Sequence, residues 1–324
     1  MMTRLGRKVI RGLLILALAF PLSQCSQKQD QVVRKLKPEE AAKLEAAYGM
    51  WPDSKKRPAI LEQQKIPEDR LESLGDISLR SRDYDSSLLN YAKILKEDPE
   101  RYDIRYKVGV ILFLRGQLEQ AKQELALVLL NRPEMLEAHE ALGLVYLQEK
   151  NYQQAISEFQ TVLATEPRRA KTRHLLGLAF LEAGQTARAI TELRQAAVLE
   201  PGQIPTQVAL GKAYIQQKDY QQAVTILQRA QAAAPNNPKV NYQLGMALAS
   251  LKRYPEAMEA FMRAGDEAQA YNNIGVHYYM EGRFEEAAKC FQRALELRPV
   301  FYDEAKVNLQ RALEKLQEVR HDDS

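Results

Sequence analysis

The 324-residue chain is poor in the residues that build reactive centres: it has two cysteines, four histidines and one tryptophan. Two cysteines, Cys25 and Cys290, cannot make a disulfide framework or a cysteine-rich metal site. The histidines, His139, His174, His277 and His321, never stand at i, i+4 from one another, so the paired-histidine zinc motif of a helix is excluded. There is no glycine-rich phosphate loop and no nucleophile elbow. The acidic residues recur at helical spacing on polar faces, the pattern of solvated surface. These absences argue for a chain that is not an enzyme, with no catalytic residue, cofactor or metal. Charge is also nearly balanced, with 46 basic and 42 acidic residues. Residues 1–24 hold four of the basic ones (Arg4, Arg7, Lys8 and Arg11) and no acidic one, so the remainder is formally neutral and carries no basic stripe for nucleic acid. The apolar run Leu13–Phe20 is too short to span a bilayer.

What the chain does have is a period. Proline recurs every 34 residues at Pro99, Pro133, Pro167, Pro201 and Pro235, and glycine keeps the same step from Gly75 to Gly245. Self-similarity of this length marks a helix-turn-helix solenoid, whose units are too small to bury their own apolar faces and must stack. Twelve residues after each glycine stands a small side chain, for example Ala121 and Ala155, and four further on a bulky one, for example Leu125 and Phe159. This pattern predicts close approach of paired helices at the small residue, with the bulky one filling the gap between repeats. Loops such as Gly116-Gln117, Lys150-Asn151 and Gly184-Gln185 separate the pair, and each proline stops the second helix.

Seven units follow, roughly 68–101, 102–135, 136–169, 170–203, 204–237, 238–267 and 268–301. The sixth lacks four residues, because Gly275 follows Gly245 by 30, so its second helix should end early, around Asp266 to Ala268. After the repeats, Asp303 to Val319 places Ala305, Leu309, Ala312, Leu313, Leu316 and Val319 on one face, the spacing of an amphipathic helix that caps the stack, with His321–Ser324 as a frayed tail.

In these residues the chain resembles the tetratricopeptide repeat family. The last unit is closest to the family pattern: Tyr271-Asn272-Asn273-Ile274-Gly275 through Tyr278, then Ala287, Phe291, Ala294 and Pro299. The resemblance implies an all-α, right-handed α-α superhelix of about seven repeats with a C-terminal capping helix. It also implies that the second, fifth, ninth, twelfth and thirteenth residues of each unit line a concave groove, of which the ninth and twelfth are the apolar centre. Mapped here, these give Val110, Phe113, Leu144, Leu147, Leu178, Leu181, Ile215, Met246 and Tyr279 as candidate partner-binding residues, with Lys212, Ala249 and Val276 at the remaining positions. An exposed apolar stripe of that extent would suit an amphipathic or extended protein segment; the competing reading is that the residues are buried or covered by residues 38–48. The carboxylate clamp of chaperone-docking members is not expected, since only Asn273 keeps the asparagine of the sixth position.

The N-terminus points to export. Its basic residues and short apolar run suit a signal peptide over 1–24. Leu22-Ser23-Gln24-Cys25-Ser26 resembles the lipoprotein processing box, although Gln24 stands where that box prefers a small residue. The resemblance implies a lipid on Cys25, membrane anchoring and, with Ser26 following, the outer membrane facing the periplasm. Residues 25–67 then read as a tether with a short helix near 38–48, opened by Pro38-Glu39-Glu40. Trp51 is expected to pack on the first repeat and Cys290 to be a buried small hydrophobe. The expected function is a scaffold that binds envelope proteins or peptides, with resemblance suggesting assembly of a pilus, secretion, polysaccharide-export or outer-membrane complex. A self-associating spacer and an adaptor for enzymes such as peptidoglycan hydrolases are the alternatives.

Overall fold

The computed structural model describes residues 67–298 and 302–322, so the readings made for the leader, Cys25, the 38–48 helix and Trp51 lie outside the described residues. Among the described residues there are fifteen α-helices and no strand. They fall into two compact units that divide between Thr165 and Glu166.

The first unit contains three hairpins: α1 (Glu68–Arg80) with α2 (Tyr84–Glu97), α3 (Tyr102–Leu114) with α4 (Leu118–Asn131), and α5 (Leu136–Gln148) with α6 (Tyr152–Thr165). The second unit contains four: α7 (Ala170–Glu182) with α8 (Thr186–Leu199), α9 (Ile204–Gln216) with α10 (Tyr220–Ala233), α11 (Pro238–Ser250) with α12 (Tyr254–Ala264), and α13 (Glu267–Met280) with α14 (Phe284–Leu297). A terminal helix, α15 (Asp303–Asp322), packs on α14 and α13. Within each unit first helices also touch first helices, α3 on α5 and α7 through α13 in succession, and so form an inner row.

The 34-residue pattern becomes geometry inside each hairpin. Ala121, Ala155, Ala189, Ala223, Ala257 and Ala287 have no exposed surface. The bulky residue one turn later lies over the glycine of its own hairpin: a Cβ on Gly143 would stand 2.6 Å from the Phe159 ring. This differs from the expectation that the bulky residue fills the gap between repeats. The absent glycine side chain opens a socket within the hairpin, and the bulky group occupies it.

Each described hairpin turns through a residue with positive φ at the same register. In the repeats of residues 102–135, 170–203 and 268–301 it is Gly116, Gly184 or Gly282; elsewhere it is Arg82, Lys150, Lys218 or Lys252. At Gly116 the motif is complete, with the Gly116 N–H donating to Phe113 O and the Gln117 N–H to Leu112 O, both at 2.9 Å. These bonds satisfy carbonyls that the helix end leaves open.

A second periodic device pins the turns between repeats. The fourth residue of five successive first helices donates to the proline carbonyl six residues earlier: Arg105 to Pro99 at 2.9 Å, His139 to Pro133 at 2.9 Å, Arg173 to Pro167 at 2.8 Å, Gln207 to Pro201 at 2.6 Å and Asn241 to Pro235 at 2.8 Å. In three of them a glutamate on the second helix completes the clamp: Glu124, Glu158 or Glu192. Ile226 replaces that glutamate in the fifth repeat, and Gln207 Oε1 is buried without a partner.

The sixth repeat does end early. Helix α12 has 11 residues against 14 in α10, and stops at Ala264 before Gly265, two residues short of the expected range. Ala268 lies inside α13, because Asp266 starts that helix with a capping box in which its side chain accepts from the Gln269 N–H at 2.8 Å. At the C-terminal end Ala305 and Ala312 are fully buried and Leu309 and Leu316 half-buried, as a capping face requires. Leu313 and Val319, placed on that face from spacing, are instead 47% exposed. They sit on its outer flank, since only a narrow stripe of a single helix meets the stack. The helix also continues through His321, which spacing assigns to the tail.

Candidate functional site

The inner rows are where the groove residues lie, and the two units present them differently. In the first unit Val110 and Phe113 on α3 and Leu144 and Leu147 on α5 are all buried, with Phe113 4% and Leu147 8% exposed. Helices α3 and α5 bury nine and eight of their 13 residues, Arg105, Lys107 and Glu140 among them, so each is covered on more than one side. These four residues therefore form core, and no exposed apolar stripe is present there.

Polar groups dominate the inner row at the start of that unit. Lys107, itself 6% exposed, donates to Glu72 Oε1 and Asp76 Oδ1, each at 2.8 Å. The Tyr91 hydroxyl donates to Asp76 Oδ1 at 2.5 Å. Arg101 pairs with Glu68, with Glu72 at 2.6 Å and with Asp103 at 2.8 Å. Burial acts to raise Asp103, but the hydrogen bond and charge of Arg101 outweigh it and hold the carboxyl below its ordinary range. This network stitches the first two repeats together, and sequence reasoning missed it. Its only sequence signal is an excess of opposite charges at inward positions of neighbouring units.

The second unit is more open. Leu181 is buried, whereas Leu178, Ile215 and Met246 are half-buried and Tyr242, which the ninth and twelfth positions do not include, is 40% exposed. Lys212 and Glu182 form an ion pair at 2.9 Å from α9 to α7, with each side chain 41% exposed. His174 lies beside this region, its Nδ1 joined to Thr206 Oγ1 at 3.1 Å, and burial lowers its pKa to about 4. The imidazole is thus neutral near pH 7.

Two other mapped residues serve the end of the stack. Val276 and Tyr279 pack against the cluster of Ala287, Ala288, Phe291 and Ala312, alongside Leu309 and Leu316 of α15. Tyr279 also meets Phe284 edge-on at 5.3 Å between ring centres. The inner face open to a partner is therefore Leu178, Lys212, Ile215, Tyr242 and Met246.

The same hairpin recurs through both units, with glycine socket, bulky plug and proline stop. Models of the tetratricopeptide repeat match residues 78–144, 146–210, 180–239, 214–275 and 268–301. The chain belongs to the tetratricopeptide repeat family.

Solved tetratricopeptide repeat structures have the same fold. A tetratricopeptide repeat protein from Parabacteroides merdae is 15% identical with a TM-score of 0.57, covering 76% of this chain and 98% of its own. The Pseudomonas aeruginosa pilF structure is 23% identical with a TM-score of 0.52, covering 67% of this chain and 98% of its own. A third, the Cut9–Hcn1 hetero-tetramer of APC/C, is 18% identical with a TM-score of 0.54, covering 84% of this chain and 51% of that chain. No curated protein matches the sequence. Tetratricopeptide repeats form protein-binding scaffolds, and this chain has their architecture.

Among the described residues no group of His, Cys, Asp and Glu could hold a metal ion. His139 is engaged by Glu158 and the Pro133 carbonyl, and His174 by Thr206, so each has its own partners. Cys290, expected to be buried, is half-buried, and partial burial pushes its thiol up to about 11. No described helix is long and apolar enough to cross a membrane.

Proposed function

We propose that this protein is a non-catalytic scaffold whose second unit binds a segment of a partner protein on its inner face. The observation that carries this reading is the half-exposed apolar set Leu178, Ile215, Tyr242 and Met246 beside the Lys212–Glu182 pair. Spaced apolar anchors with a charged pair at their edge suit an amphipathic helix or an extended segment with hydrophobic residues at intervals. A partner residue there would bury apolar surface without having to open a core.

The setting follows from the N-terminal residues. The basic leader, the apolar run and Leu22-Ser23-Gln24-Cys25 support export with a lipid on Cys25, and residues 26–67 would tether the repeats to the outer membrane on its periplasmic side. Clients would then be envelope proteins, in the assembly of a pilus, secretion, polysaccharide-export or outer-membrane complex.

A photoreactive residue in place of Ile215 or Met246, in the native host, tests the binding face. Val198 on α8, 78% exposed and away from the inner row, is the control. A discrete adduct from the inner positions alone supports the scaffold reading. Adducts only between copies of the chain would instead support a self-associating spacer. Metabolic labelling with a fatty acid, lost in Cys25→Ser, tests the anchor.

A further inference from the structure

Two apolar residues of α1 are exposed although their counterparts are buried in every later repeat where unit-internal packing covers them. Leu74 is 38% exposed, against 0% for Val108, 5% for Leu142, 2% for Leu210, 3% for Leu244 and 3% for Ile274. Ile77 is 54% exposed, against 0% for Ile111 and Val145. In those repeats the second helix of the preceding hairpin lies on the first helix: α2 on α3, α4 on α5, α8 on α9, α10 on α11 and α12 on α13. Among the described residues nothing stands in that place for α1. Its outer face runs Asp69, Arg70, Ser73, Leu74 and Ile77, all exposed and spaced at i, i+4 and i, i+3.

A solenoid end of this kind needs a cover with a polar outer surface. The chain upstream of Pro67 is long enough to provide one, since 66 residues precede it. A further repeat in register cannot do so. Its second helix would occupy 50–63, where Pro58 interrupts the helix, and Asp53 and Arg57 stand at the positions of Ser87 and Tyr91, both 0% exposed. The segment before it has the right character. In sequence Pro38-Glu39-Glu40 has the pattern of a helix start, and Ala41, Leu44, Tyr48 and Trp51 recur at i, i+3, i+7 and i+10, the spacing of an apolar stripe with Lys43 and Glu45 off it.

The dimensions agree. A helix over 38–51 is about 20 Å long, as are the 13 residues of α1. The remaining 16 residues, 52–67, reach up to about 50 Å when extended, enough to return along α1 in either direction. Lys37, immediately before this segment, is a cation opposite in sign to the exposed Asp69 in the first turn of α1. We propose that residues 38–51 form an amphipathic helix that docks on Leu74 and Ile77 and caps the first unit, so that part of the tether belongs to the folded stack.

The test is a photoreactive residue in place of Ile77 in the full chain, with adducts located by mass spectrometry across a range of protein concentrations. An adduct within one chain onto residues 38–51, independent of concentration, is the expected result. An adduct to a second copy, to another protein or to no site in 38–51 overturns the proposal. In parallel, Leu44→Lys/Tyr48→Lys should speed amide exchange in α1 at least tenfold while leaving α13 and α14 unchanged. Unchanged exchange in α1 would overturn it as well.

Discussion

The inner faces of the two units are built on the same repeat and differ in what fills them. In the first, bulky residues at the ninth and twelfth positions are core, and an ion-pair network locks the entry. In the second, Leu178, Ile215 and Met246 at equivalent positions leave apolar surface half-exposed, and Lys212 replaces an apolar residue altogether. Equal position in a repeat therefore does not mean equal exposure. A residue that points inward is covered or open according to what packs around it.

The largest expected effect breaks that comparison directly. Phe113→Glu or Leu147→Glu puts an unpaired carboxylate into core and should cost more than about 4 kcal/mol, seen as loss of helicity or a collapsed melting temperature. Ile215→Glu or Met246→Glu should stay within about 1 kcal/mol of the parent, because the charge reaches solvent. Equal losses at both pairs would erase the distinction between the two faces.

The next effect concerns the polar entry of the first unit. Lys107→Met should cost about 2 kcal/mol in denaturant unfolding, since Glu72 and Asp76 lose a buried cation while Arg101 and Tyr91 still serve them. An unchanged midpoint would mean that solvent already satisfies both carboxylates.

Acid should separate the units further. His174 and His277 of the second unit are pushed below their ordinary value by burial, His174 to about 4, and Nε2 of His277 has no partner. A folded value below the unfolded one means that stability is present above pH of about 6.5 and declines as pH falls toward 4. The lowered carboxyl of Asp103 in the first unit acts later, because its contribution is present above its ordinary value of 3.8 and is lost only below it. Exchange protection in α7–α13 should thus fall between pH 6.5 and 4 before that of α1–α3. His277→Leu should reduce that decline; an unaltered pH profile would assign it elsewhere.

The smallest effect tests the equivalence of the turns. Lys150→Gly in the first unit and Lys218→Gly in the second should each stabilise by about 0.5–1 kcal/mol, since both lysines have positive φ, which glycine adopts without strain. Gly116→Ala should cost about 1 kcal/mol by the same argument. Thermal melts of the three variants check both signs.

Much of this is legible without any coordinates. The glycine and bulky positions, the proline stops, the shortened sixth repeat and the terminal helix all come from residues that interact within one hairpin or its immediate neighbour. The residues that the family resemblance maps to an inner face all lie on first helices. Their burial is not legible, because a periodic map states direction and not coverage. The clamp on the proline carbonyls escapes notice for a related reason: arginine, histidine, glutamine and asparagine share a donor but not a letter.

By itself the sequence determined an all-helical chain of about seven helical hairpins, because a period of 34 residues repeats the same local contacts wherever it occurs. Only the tertiary structure decided that Phe113 and Leu147 are core while Ile215 and Met246 are surface, and that Tyr279 serves the terminal helix. Those outcomes depend on which side chains, distant in sequence, compete for the same space.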